Sequence, residues 1–427
     1  MRSKKLSIGL TAVLAIFGVA LFVTGTRAAA QQETVLHSFN YSNKDGWAPL
    51  TGLVFDGVGH LYGTTLWGGA GLCTISGTLV GCGTIFELTP TTGGRWAERR
   101  LHNFGANGLD GNYPQASLIF DGAGNLYGTT ASGGAQNYGT VFELTPAAGG
   151  RWMEKVLHTF KGTDGQSPIG GLIFDATGNL YGMTSAGGAY NYGTAFELTP
   201  KPGGGWKQKV LHSFLDNGSD GFTPQAGLIF DAAGNLYGTT YGGGGDHQGT
   251  VFELIPTTGG SWTEKVLHSF VAGGIGGTDG YSPVAGLSFD AAGNLYGTTL
   301  YGGSYNQGTV FELTLVNGSW TSIVLHSFDD NGTDGSYPGA GLTFDAAGNL
   351  YGTTEHGPIP YFYGMLFELS PTAGGIWTET VLHYFDSNAG DGTGPGGSLI
   401  FDASGNLYGT TANGGAYGYG TVFEVRP

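Results

Sequence analysis

Seven histidines recur in one setting: His37, His102, His158, His212, His268, His326 and His383, each preceded by Leu and followed two residues later by Phe. Imidazoles in that number could ligate a metal or move protons. Both uses require the rings to converge. Each ring lies near the end of an outer strand, and outer strands of separate units point apart. The structural alternative is an imidazole bonded within its own unit.

Seven aspartates, Asp45, Asp110, Asp164, Asp220, Asp279, Asp334 and Asp391, open an Asp-Gly-x-x-Pro string. They could form a ring of carboxylates that attracts a cation. Each could equally accept backbone N–H bonds in its own turn, with Gly and Pro setting the dihedrals. The seven repeated glutamates, Glu87, Glu143, Glu197, Glu253, Glu312, Glu368 and Glu424, are not paired by any spacing, so they offer no evident general acid/base couple. No catalytic residue is assigned.

Asp216 to Gly221 and Asp330 to Gly335 resemble part of a calcium loop, but position three is Gly and no Glu stands at position twelve. Asp216, Asp220, Asp330 and Asp334 are weak calcium candidates, and no other cofactor is expected. The glycines build no phosphate cradle, because neither a Walker-type Lys nor a helix follows them.

The residues that do not recur are more informative. Asp246 with His247, and Glu355 with His356, stand in variable loops. They suit a local acid–base or ligand role, or plain exposure. The same loops carry Trp67, Tyr190, Tyr241, Tyr301, Tyr305, Tyr361 and Tyr417, aromatic surfaces that could stack on sugars or grip a peptide. Tyr138, Tyr192 and Tyr419, each just before a strand, could instead pack on their own unit.

What positions these residues is a repeat. Leu-Tyr-Gly starts at Leu61, Leu126, Leu180, Leu236, Leu295, Leu350 and Leu407, so the unit is 54 to 65 residues long. In the fourth copy, Gly227 to Asp231, Leu236 to Thr240, Gly249 to Pro256 and Trp262 to Phe270 read as strands separated by Gly-rich turns. In the last of these, Trp262, Glu264, Val266, His268 and Phe270 share one face by alternation. No stretch after the leader has a good helical period.

Four antiparallel strands per unit describe a blade, and seven units describe a seven-bladed β-propeller. The opening Glu33 to Phe39 is a fourth strand lacking its first three. The ending, Gly396 to Val425, has three strands lacking a fourth. Joined, they complete the seventh blade and leave only short sheet edges. The expected blades are 52–104, 116–160, 170–214, 226–270, 285–328, 340–385, and 397–425 with 33–39. The turns joining strands one to two and three to four are uniform. The loops joining two to three and the crossovers between blades vary, and they share the opposite face, where any ligand site is expected.

The string Asp-x-x-Gly-Asn-Leu-Tyr-Gly-Thr-Thr-x-x-Gly-Gly…Gly-Thr-Val-Phe-Glu-Leu resembles the unit of the bacterial GloVer tandem-repeat family, and nearly all of the chain after the leader carries it. The resemblance implies an exported repeat protein and brings no activity with it. Members have varied C-terminal surface anchors. This sequence stops at the last strand, which points to a released or periplasmic protein.

Residues 1–30 read as a secretory signal: Arg2, Lys4 and Lys5, then apolar Leu6 to Val23, then Ala28-Ala29-Ala30 before Gln31. An uncleaved anchor is the alternative. Cys73 and Cys82, the only cysteines, are expected to form a disulfide in the exported chain. Without the leader, 12 basic residues face 32 acidic ones, which disfavours nucleic acid and anionic membrane as partners. The expected protein is a monomeric, single-domain scaffold (residues 31–427) that binds glycan or a surface protein. A carbohydrate-active or quinone-type enzyme at the channel mouth, and a purely structural surface protein, are the alternatives.

Overall fold

The structure is a computed structural model and describes residues 33–41, 45–105, 108–273, 279–329, 331–358, 363–388 and 390–427. The proposed leader, Tyr361 and Asp330 lie outside the described residues. No helix among the described residues is long and apolar enough to cross a membrane.

Seven four-stranded antiparallel sheets form a ring, a seven-bladed β-propeller. The fourth blade is typical. Ile229–Phe230 pairs with Leu236–Thr240, that strand with Thr250–Pro256, and that with Trp262–Ser269. In the seventh blade the outer strand is Glu33–Ser38, which runs antiparallel to Thr421–Val425 and closes the ring.

The repeated letters have direct physical reasons. Gly238 lies opposite Phe252 on the neighbouring strand. A Cβ there would stand 2.8 Å from Phe252 Cζ and 3.0 Å from Leu228 Cδ2, so the ring's place requires glycine. Beside it, Thr240 Oγ1 meets Thr250 Oγ1 at 2.8 Å, and Thr239 Oγ1 donates to Ala285 O of the next blade at 3.0 Å. The motif thus joins strands within a blade and blades to each other.

The apolar core lies between blades. Phe214 meets Phe252 edge-on with centroids 5.2 Å apart, both fully buried. Equivalent pairs sit at all seven seams, including Phe39–Phe86 and Phe385–Phe423 on either side of the blade shared by the two chain ends. Such edge-to-face contacts add about 0.5–1.5 kcal/mol each beyond their burial. The axis is a narrow passage of about 140 Å³ lined mainly by Gly, Ala and Ser from the segment before each first strand.

One expectation needs correction. Alternation along the fourth strand runs only to Val266. Phe252 pairs with Val266 and Val251 with His268, so Leu267 is an extra residue in a bulge. All seven outer strands carry this register shift. A bulge re-aims the side chains that follow it. Leu267 therefore packs against the core although alternation had placed it on the far face.

Candidate functional site

The repeated polar residues hold one another. Each strand-four histidine turns Nε2 toward the aspartate of the crossover that follows, as in His212–Asp220 at 2.9 Å and His326–Asp334 at 3.0 Å. The same pairing recurs at His37, His102, His158, His268 and His383. The aspartate also caps its turn: Asp220 Oδ1 accepts from Gly221 N and Oδ2 from Leu215 N. Neither repeat reaches the axial passage, whose lining contains no aspartate. Each of these aspartates is held by its own histidine and turn, apart from the passage.

On the uniform face, Tyr237 Oη donates to Asp231 at 3.1 Å and lies 2.9 Å from Glu253. Asp231 Oδ1 also accepts from Ala233 N and Asn235 N. Burial, with two carboxylates close by, pushes the Tyr237 phenol well above its ordinary range. Lys265 reaches Glu253 at 3.8 Å, and Arg99 pairs with Glu87 in the first blade. These glutamates are structural parts of each blade.

A further set escaped the sequence reading. The outer-strand residue four before each histidine faces the His–Asp pair of the preceding blade. It is glutamate at Glu33, Glu98, Glu154, Glu264 and Glu379. Burial, reinforced by the neighbouring aspartate, pushes Glu33, Glu154 and Glu264 up to about 7 and Glu379 up to about 8. The signal was present as a Glu-x-x-x-His spacing, but the partner lies across a seam that the spacing does not reveal.

The residues that do not recur gather on the variable-loop face. Tyr241, His247 and Tyr301 line a cleft of about 450 Å³, together with Phe222, Gln248, Tyr281, Ser282, Asn306 and Tyr337. Tyr281 stacks on Tyr301 at 5.4 Å and 28° and donates from Oη to Asn306 Oδ1 at 2.9 Å. Tyr301 meets Tyr337 at 5.5 Å, and Tyr337 meets His356 at 5.2 Å. His356 and Glu355 line a second cleft, of about 360 Å³, with Tyr363, Thr393 and Asn413. Four rings thus run from one cleft to the other. Burial raises the Glu355 carboxyl above its usual range, and the adjoining His356 opposes that rise. Burial likewise raises the Tyr301 phenol, with Tyr241, Tyr337 and Glu355 close by.

The other sequence candidates are dispersed. Tyr190, Tyr305 and Tyr417 are more than half exposed, and Asp246 is exposed. Trp67 packs on Trp47 at 4.6 Å. Asp216 Oδ1 lies 3.1 Å from His247 Nδ1, while Asp220 and Asp334 face their histidines. Tyr138 and Tyr419 pack against the core. Cys73 and Cys82 form a disulfide. The sequence reading missed Phe222, Tyr281 and Tyr337, which occupy the variable positions of Asp-Gly-x-x-Pro. Their signal was asymmetry: those positions hold Trp, Asn, Gln, Phe, Tyr, Ser or Thr at the first, and Tyr only at Tyr113 and Tyr337 at the second.

Fold and faces together define a closed propeller of near-identical blades with individual loops on one side. The Gloeobacter/Verrucomicrobia repeat matches residues 22–229, 71–288 and 202–423, and the chain belongs to that family. Among curated proteins, none matches the chain. Among solved structures, it is similar to the extracellular domain of a protein described as a hybrid two-component system from B. thetaiotaomicron. That match has 12% identity and a TM-score of 0.56, over 93% of this chain and 40% of that one. It is also similar to a protein described as a 6-phosphogluconolactonase from Bacteroides uniformis, with 13% identity and a TM-score of 0.49 over 80% and 88% of the two chains. PorZ, a surface component of the type-IX secretion system of Porphyromonas gingivalis, matches at 16% identity and a TM-score of 0.49, over 87% and 46%. At 12% identity the first match bears on the fold alone.

Proposed function

We propose that this chain is an exported scaffold that binds carbohydrate on its variable-loop face. The observation that carries the reading is the run Tyr281–Tyr301–Tyr337–His356, which links two open clefts. Ring faces pack on the apolar faces of sugars, and nearby neutral polar groups bond the hydroxyls. Gln248, Ser282, Asn306 and Asn413 supply such groups in the walls of the two clefts. Export rests on the leader and on the family resemblance.

Binding is favoured over hydrolysis by the cleft chemistry. Glycoside hydrolysis ordinarily uses two facing carboxyl groups. Among the described residues, the lining of the two clefts contributes one, Glu355.

An array of neutral and acidic glycans probed with the purified chain tests this. We expect retention of a defined glycan, weakened tenfold or more by Tyr301→Ala with the fold intact. No retained glycan, or retention indifferent to Tyr301→Ala, overturns the reading. Capture of a protein partner through Tyr301 would replace carbohydrate with a protein ligand, and release of a shortened product would replace binding with catalysis.

A further inference from the structure

The seams on either side of the sixth blade differ from the other five. At one, His326, Asp334 and Glu379 bring one ligand atom each within 4.8 Å of the others. At the next, His383, Asp391 and Glu33 do the same. Among the described residues no other trio closes this far. His326 Nε2 lies 3.0 Å from Asp334 Oδ2 and 3.8 Å from Glu379 Oε1. His383 Nε2 lies 3.3 Å from Asp391 Oδ2.

Asp334 Oδ1 accepts from Gly335 N, and Oδ2 accepts from Asp329 N and faces His326. Asp391 is held likewise by Gly392 N and Asp386 N. In contrast, Glu379 Oε1 and Glu33 Oε1 are shut off from solvent without a hydrogen-bond partner, as are Glu154 Oε1 and Glu264 Oε1 at other seams, so what sets these two seams apart is the closure of the trio. A buried carboxylate oxygen without a partner is costly.

We propose that each of these two trios binds a divalent first-row metal ion, bridging the sixth blade to its neighbours. One imidazole nitrogen with two carboxylate oxygens is a donor set suited to Zn²⁺ or Mn²⁺, whereas Ca²⁺ and Mg²⁺ favour oxygen alone. Ligand atoms around a four-coordinate Zn²⁺ stand roughly 3.3–3.5 Å apart, given bonds of about 2.0–2.1 Å. In the first trio the two separations from His326, 3.0 and 3.8 Å, bracket that range, and in the second the His383–Asp391 separation of 3.3 Å matches it with Glu33 within 4.8 Å. The ion takes the place of the proton between His Nε2 and Asp Oδ2, so the aspartate keeps its bonds and Glu Oε1 gains a partner. The imidazole proton then resides on Nδ1 or is released.

The location has a structural sense. Thr239 and Thr298 each bond a carbonyl of the next blade, but the equivalent Thr353 hydroxyl is buried without a partner. In the same blade Met365 replaces the threonine that elsewhere bonds the second Thr of the motif. The sixth blade thus lacks one threonine link to the next blade and one within itself, while Thr343 donates to Leu399 O, Gly341 N to Ser398 Oγ and Ser288 to Leu342 O across its two seams; metal bridges would add to these contacts on both sides.

The test is calorimetric titration of the chelator-treated chain with Zn²⁺, with melting temperature as a second readout. We expect two equivalents bound, one after Glu379→Gln or Glu33→Gln, and none after both. Glu154→Gln, at a seam where the trio does not close, should leave two. His326→Gln, which keeps both carboxylates, should also leave one, so misfolding of a single variant does not decide the result. Zn²⁺ should raise the melting temperature of the parent and not of the double variant. The proposal is overturned by no saturable uptake, or by a stoichiometry that the double variant leaves unchanged. It is equally overturned if acidification alone stabilises these seams and Zn²⁺ has no effect, which would mean that each trio shares a proton.

Discussion

The two faces of the ring are built from similar residue types, yet they use them differently. On the uniform face, Asp, Asn, Tyr and Glu converge within a blade: Asp231, Asn235, Tyr237 and Glu253 are joined by hydrogen bonds, and so are Asp121, Asn125, Tyr127 and Glu143, while in the first blade His60 takes the place of Asn. On the variable face, tyrosines meet across blades, and their edges line open clefts. A tyrosine whose hydroxyl is held by two carboxylates is part of the frame. A tyrosine such as Tyr301, whose neighbours are other rings around a cleft, remains available to a ligand. Recurrence is therefore a guide to construction, and departure from recurrence is a guide to the site.

The largest break in this comparison should come from the frame's interior. Phe252 is fully buried against Phe214 at the seam between the third and fourth blades. Phe252→Ala should cost about 3–5 kcal/mol, because the ring leaves a cavity that the flanking strands cannot close. Denaturant unfolding measures it. A loss below about 1 kcal/mol would mean that blades relax independently. Tyr301→Ala at the cleft should leave stability almost unchanged while weakening glycan retention tenfold or more.

An intermediate effect is expected from Tyr237→Phe. The ring stays, but Asp231 and Glu253 lose the hydroxyl they share. Glu253 is buried, and an acceptor left short of a donor costs about 1–3 kcal/mol. The same denaturation experiment checks it. No loss would show that water or Lys265 replaces the hydroxyl.

The frame was legible in the sequence because its reasons are local. Gly238 under Phe252, paired threonines and the Asp-capped turns all act within a few residues or across adjacent strands, so each blade repeats the same letters. Ring closure was legible because Glu33–Ser38 carries the pattern of an outer strand. The His–Asp pairs were only half legible. Both members recurred, but the intervening crossover varies, with partners 8 residues apart at His212 and 6 at His158, against 11 at His268. The seam glutamates were hidden further, since Glu264 answers to a histidine of the preceding blade. The cleft was partly legible: Tyr241, His247, Tyr301, Glu355 and His356 stood out in variable loops. Phe222, Tyr281 and Tyr337 did not, because they sit inside a motif whose fixed letters are structural.

The smallest effect lies within the frame itself, at two of its seams. Glu154 faces Asp110 and His102, and Glu264 faces Asp220 and His212. Burial first, then the facing aspartate, raises both carboxyls from 4.5 to about 7 in the folded chain. Between those values the folded state holds more protons than the unfolded state, so stability falls as pH rises. Their contribution is complete below pH 4.5 and is lost as pH passes about 7. The chain should therefore melt at a higher temperature at pH 5 than at pH 8. Glu154→Gln with Glu264→Gln should flatten that slope, because the amide keeps the shape of the neutral acid and does not ionise. Chelator in every sample removes metal binding as a variable, while Glu33 and Glu379, raised to about 7 and about 8, keep titrating in this range, so the slope is reduced and not abolished. A slope unchanged by the double substitution would assign the pH dependence to other groups and leave these glutamates charged within the frame.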